Sequence, residues 1–177
     1  MKTHTIKPEW KKEALETATL RRKFHSKFGS PHHWHDKNKG EYTDEYYGSL
    51  GQIVFKEHCS IMGISHLCQF APLYTSNLSE LPDWDAKIDN KTVEIKSIPP
   101  DDSKIKRIRM LVKVSEFKSM DFYIAIKFWD SETYSFCGLA TALDVISSPI
   151  KNFGFAPAYC LFLDKMPGGM IGKWWIN

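Results

Sequence analysis

The stretch "LPDWDAKIDNKTVEIKSIP" (residues 81–99) decides how the rest of the chain is read. Two alternating runs flank Asp89-Asn90, a dipeptide that tolerates positive φ, so the stretch reads as a β-hairpin with a two-residue turn. Side chains alternate along a strand, which puts Asp83, Asp85 and Lys87 on one face and Trp84, Ala86 and Ile88 on the other. The return strand divides the same way, with Thr92, Glu94 and Lys96 on one face and Val93 and Ile95 opposite. With the turn at Asp89-Asn90, Asp85 falls across from Glu94 and Asp83 across from Lys96. Shifting the turn by one residue keeps the same faces together. Directly opposed Cβ atoms are ~5 Å apart, so one face gathers two or three carboxylates and an ammonium. Like charges so placed repel unless a cation sits between them, and hard divalent cations prefer such oxygen ligands. The competing reading is a solvated face carrying weak ion pairs.

Outward from the hairpin, residues 8 to about 27 are good helix formers, with Pro8 suited to a first turn and Trp10, Leu15, Ala18, Leu20 and Phe24 as intermittent apolar points. A break at "GSPHHWHDKNKGE" precedes a second helix, residues 43–62, capped by Thr43 or Asp44. Tyr47, Leu50, Val54, Cys59 and Ile61 form its core stripe. "HLCQFAPLYT", "DFYIAIKFW" and "TYSFCGLAT" are strand-like, residues 140–146 suit a short helix, and "PAYCLFLD" and "MIGKWWI" read as closing strands. The order predicts one mixed α/β domain with a central mixed β-sheet flanked by helices.

Composition agrees with a single domain over 1–177. The chain has 177 residues, 42% of them hydrophobic and 14% aromatic, which is enough for one core and argues against disorder. Within it, 1–40 hold the first helix and a His-rich loop, 41–146 the core, and 147–177 the last strands. The net charge of +3 is too small to declare a polyanion partner, though local clusters of Lys and Arg can still line a groove. No segment approaches the ~18 uninterrupted apolar residues of a membrane span, and the N-terminus lacks an apolar leader, so a soluble, intracellular (cytoplasmic) protein is expected. Cys59, Cys68, Cys137 and Cys160 form no CxxC pair, which predicts free, mostly buried thiols.

Pro82-Asp83 followed by Glu94-Ile95-Lys96 resembles the signature of the PD-(D/E)XK nuclease superfamily, in which Pro-Asp begins one strand and Glu or Asp, any residue, then Lys lies on the next. The resemblance implies a restriction-endonuclease-like core with a helix before the hairpin and a helix and further strands after it. It also implies a Mg²⁺-dependent nuclease, with Mn²⁺ as substitute, acting on DNA as an endonuclease. Asp83, Asp85, Glu94 and the carbonyl of Ile95 would hold the ion and Lys96 would orient or activate the attacking water. Asp83 follows the proline as in the family, whereas the cross-strand geometry favours Asp85 almost equally. Many members carry Glu in a helical stretch like "GxLGE". This chain reads "GSLGQ", so the helix acid is open among Gln52 itself, Glu45 and Glu57. The alternatives are a nuclease-fold binding or assembly module without cleavage, and an RNA-cleaving enzyme, because the same site chemistry serves either sugar. A homodimer is left open.

Further along, "SKIKRIRMLVK" supplies Lys104, Lys106, Arg107, Arg109 and Lys113, a candidate phosphate-neutralising cluster next to the site. "KK" at 11–12 and "RRKFHSK" at 21–27 add a weaker positive patch. Two histidine groups offer competing zinc chemistry: His32, His33, His35 and Asp36 in one loop, and His58 and His66 beside Cys59 and Cys68, at spacings that fit no standard knuckle. Trp129, Trp174 and Trp175 read most simply as core or sheet-face aromatics.

Overall fold

A computed structural model describes residues 2–28, 44–68, 84–100, 108–152 and 156–162. Helix α1 (Pro8–Phe28) and helix α2 (Asp44–Ile61) lie side by side on one face of a six-stranded mixed sheet. In chain order its strands are β1 (His4–Thr5), β2 (His66–Cys68), β3 (Ala86–Ile88), β4 (Lys91–Ile98), β6 (Phe122–Phe128) and β7 (Thr133–Ala140), arranged β1-β7-β6-β4-β3-β2. A three-stranded antiparallel sheet, ordered β5-β9-β8, is built from β5 (Arg109–Lys113), β8 (Ile150–Asn152) and β9 (Pro157–Phe162). With the short helix α3 (Ala142–Ile146) it supplies the second apolar cluster, on the other face of the large sheet.

The expected α/β architecture with a mixed sheet is therefore observed, with one refinement. Helices cover only one face well; the other is closed mainly by the small sheet. β5 accounts for this. "RMLVK" alternates, burying Met110 and Val112 and leaving Arg109 and Lys113 on the opposite side, a period-two pattern within a stretch read for its charge.

Each helix buries the stripe its spacing allows. Trp10, Ala14 and Ala18, four residues apart, are buried in α1, and Tyr47, Leu50, Val54 and Cys59 in α2. Leu20 is exposed, and Ile61 is a correction to the core stripe: it too is exposed, because it ends α2 just before the turn at Gly63. Trp129 is also more exposed than expected, standing beyond the end of β6 with its indole N–H on Ser135 Oγ at 2.9 Å. Helix and sheet approach closely at Gly51, where a Cβ would fall 2.0 Å from Ser97 Oγ on β4. The missing side chain lets α2 sit directly over the strand that carries Glu94 and Lys96.

The hairpin turns where the sequence places it. Asp89 and Asn90 take φ of 47° and 64°, and Ala86, Lys87 and Ile88 pair with Val93, Thr92 and Lys91. β4 then runs parallel to β6, with Glu94 beside Tyr123 and Lys96 beside Ala125. Asp121 fixes that register. Its carboxylate accepts from Thr92 N–H at 2.8 Å, Thr92 Oγ1 at 2.9 Å and Lys91 Nζ at 3.1 Å, and its own N–H returns to Thr92 Oγ1. At the far end of the pair, the buried Lys127 donates to the carbonyl of Pro99.

Candidate metal and nucleic-acid site

The pleat of the hairpin breaks at Asp85. Its N–H donates to Val93 O at 3.0 Å, although Val93 is already the partner of Ala86, so two successive residues are set against one, as in a bulge. One added residue reverses the faces upstream of it. Trp84 accordingly lies beneath Lys87, whose Nζ is 4.8 Å from the indole centroid, and packs with the second cluster. This corrects the expectation that Trp84 shares the face of Ala86 and Ile88, and with it the expectation that Asp85 pairs directly across from Glu94 on the face of Lys87: its carboxylate turns instead to Gln52 of α2 and the Ile95 N–H.

Because β3 has no further pairing beyond Ala86, the next N–H on that edge of β4, that of Ile95, lacks a strand partner. The Asp85 carboxylate takes its place, accepting from Ile95 N–H at 2.7 Å through Oδ2. Oδ1 accepts from Gln52 Nε2 at 2.7 Å, and Gln52 Oε1 in turn accepts from Arg21 of α1. Residues in a strand send their N–H and C=O to the same edge, so the Ile95 carbonyl also faces the Asp85 side. On the neighbouring face of β4, Lys96 Nζ donates to Glu94 Oε1 at 2.8 Å, and Lys118 Nζ stands 3.9 Å from Glu94 Oε2.

These groups perturb one another. Burial, then the charge of Glu94, push the Asp85 carboxyl up to about 6, against the pull of the Ile95 N–H, the Lys96 charge and the Gln52 amide. For Lys96, burial works downward but is outweighed by the charge and hydrogen bond of Glu94 and by Asp85 and Glu116, so its pKa rises and the ammonium persists. Tyr123 lies under the pair. Its hydroxyl donates to the carbonyl of Lys118 and accepts from that residue's N–H at 3.1 Å, and burial first, then Glu94, raise its pKa.

Of the residues singled out from sequence, Asp85, Glu94, Ile95, Lys96 and Gln52 thus come together, while Pro82 and Asp83 lie outside the described residues. Glu45 is half-buried in the first turn of α2, its carbonyl accepting from Ser49 Oγ at 2.8 Å, and Glu57 is half-buried beyond Gln52. Lys104, Lys106 and Arg107 fall outside the described residues. Arg109 and Lys113 share the outer face of β5, and Lys113 Nζ is 2.7 Å from Glu116. In the weaker basic patch, Lys11 pairs with Glu132, whereas Arg21 turns inward to Gln52. The contribution of Arg21 was not legible, because the contact spans two helices whose packing no local pattern fixes.

The zinc alternatives gain nothing. His32, His33, His35 and Asp36 lie outside the described residues. His58 packs on His4 and Phe136, with centroids 5.6 and 4.7 Å away, and His66 Nδ1 meets Ile64 O at 2.7 Å. Among the described residues no group of three or more His, Cys, Asp or Glu side chains is placed to hold a metal. All four thiols are free, as expected, with Cys68 the least buried. No helix among the described residues is long and apolar enough to cross a membrane.

Comparison with protein-family models, with curated proteins and with solved structures finds no match to this chain.

Proposed function

We propose that the chain is a Mg²⁺-dependent nuclease with a restriction-endonuclease-like core, cleaving phosphodiester bonds in DNA as an endonuclease. The observation that carries the reading is the meeting of Asp85 with Glu94 and Lys96 where β3 gives out beside β4. The donor set suits a hard cation. Asp85 and Glu94 offer carboxylate oxygens, each Asp85 oxygen keeps a lone pair beyond its hydrogen bond, and the Ile95 carbonyl faces the same edge. Asp83 would supply the further carboxylate.

Held there, magnesium, or manganese in its place, would lower the pKa of a bound water and supply counter-charge for the phosphate. The rest belongs to the chain. Lys96, held protonated between acids, donates to the attacking water and to charge growing on the phosphate oxygens. Glu94 orients that ammonium. Arg109 and Lys113, with Lys104, Lys106 and Arg107, would neutralise flanking phosphates and make binding salt-sensitive without reading sequence. The chain would act in the cytoplasm, and a homodimer would present two such sites.

A second reading, a nuclease-fold nucleic-acid-binding module without cleavage, is favoured by Gln52, which puts an amide where the resembling helix often carries an acid. Plasmid nicking with Mg²⁺, with EDTA, and with Glu94→Ala and Lys96→Ala separates the two. Cleavage that requires Mg²⁺ and falls in both variants is expected; wild-type protein inert on DNA and RNA alike, yet binding them, leaves only the binding module.

A further inference from the structure

We infer that Arg21 is a positioning residue for the proposed metal site, acting on the Asp85 carboxylate through the side-chain amide of Gln52. The inference rests on the nuclease reading for its purpose, but the chain of contacts stands without it.

Gln52 is buried, and its amide is spent at both ends. A guanidinium only donates and an ionised carboxylate only accepts, so the amide can be turned only one way, Oε1 to Arg21 and Nε2 to Asp85. Donation by Arg21 polarises the amide and strengthens its hydrogen bond to Oδ1. The other carboxylate oxygen is fixed by Ile95 N–H at 2.7 Å, so Asp85 is clamped from both sides. The clamp spans three elements: α1 supplies Arg21, α2 supplies Gln52, and the hairpin supplies Asp85 and Ile95. A glutamate at position 52 would accept from Arg21 but have nothing to donate to Asp85. The amide therefore serves the contact better than the acid it stands for. An amide at this place then reads as a choice that leaves Asp85 and Glu94 as ligands and recruits α1 to aim one of them.

The test uses the full chain with Arg21→Met, Arg21→Lys, Gln52→Leu and the Arg21→Met/Gln52→Leu double variant, each checked for a cooperative thermal transition. Without metal, amide exchange at Ile95 N–H is read by NMR. Faster exchange in Arg21→Met and Gln52→Leu, no further change in the double variant, and recovery in Arg21→Lys are expected. With Mn²⁺ as probe, calorimetry should show affinity about tenfold lower in Gln52→Leu and Arg21→Met, again without additivity. Unchanged Ile95 exchange in Arg21→Met, or effects of the two substitutions that simply multiply, overturns the inference. Wild-type protein that binds no Mn²⁺ overturns the metal reading instead and leaves the exchange result to decide the clamp.

Discussion

The Asp85 carboxylate accepts the backbone N–H of Ile95 at 2.7 Å, and a side chain thereby completes an edge of β4 that β3 leaves unpaired. In the proposed site one carboxylate is thus asked to be both sheet partner and ligand. Its environment, enclosed and beside Glu94, favours the neutral form more than water does.

The pH dependence follows in sign. The folded pKa of Asp85, about 6, exceeds the ordinary value of 3.8. Between these values the folded state binds the proton and the unfolded state does not, so this group's contribution to stability falls as pH rises through that window and stays lost above it. A divalent cation bound at Asp85 and Glu94 opposes the loss. Mg²⁺ should therefore raise the melting temperature at about pH 8 and hardly at all near about pH 4. An equal Mg²⁺ shift at both pH values, measured by calorimetry, removes Asp85 from the site.

Gly51→Ala tests how the helix is seated. The new Cβ would meet Ser97 Oγ at 2.0 Å and Ser97 Cβ at 3.3 Å, so Ser97 must turn its hydroxyl away and α2 give by a few tenths of an ångström, at a cost of about 1 to 3 kcal/mol. Ser97→Gly removes both atoms, and the double variant should recover most of the loss. Denaturant midpoints of the four proteins give the coupling directly.

Much of this was legible from the chain. Asp89-Asn90 forces its turn because positive φ is tolerated by few side chains, and Glu94 and Lys96 share a face through the period of two alone. Strict alternation misplaces Trp84 and sets Asp85 across from Glu94, because the extra residue at Asp85 depends on the partners its carboxylate finds in α2 and β4. β5 was hidden by Arg109 and Lys113, which read as charge when the buried Met110 and Val112 between them carry the structure. Arg21 and Gln52 meet only once two helices pack.

Asp121 should prove important to the register of β4 against β6. Asp121→Ala removes acceptors for Thr92 N–H, Thr92 Oγ1 and Lys91 and should cost about 1 to 3 kcal/mol. Its folded pKa is held low by the Thr92 N–H first, then by the Lys91 and Thr92 side chains. That stabilisation is present above the ordinary carboxylate range and lost as pH falls through the lowered value. The gap between wild type and variant in urea melts should accordingly narrow in acid; a gap independent of pH would locate the effect elsewhere.

Lys96→Met separates ligand from catalyst. In the free protein the Lys96 ammonium occupies Glu94 Oε1 at 2.8 Å, so it competes with any cation for that oxygen. Removing it frees Oε1 of Glu94 and lowers the local positive charge, which should leave Mn²⁺ affinity unchanged or tighter, while cleavage falls about 10²-fold for want of the group proposed to orient water. Glu94→Gln should instead lose affinity and cleavage together, because it removes a ligand charge as well as the partner that aims Lys96. Calorimetry with Mn²⁺ beside single-turnover cleavage on the two variants reads both quantities. Should Lys96→Met weaken metal binding as much as Glu94→Gln does, the lysine would be a structural counter-charge to the acids, and its catalytic assignment would fall.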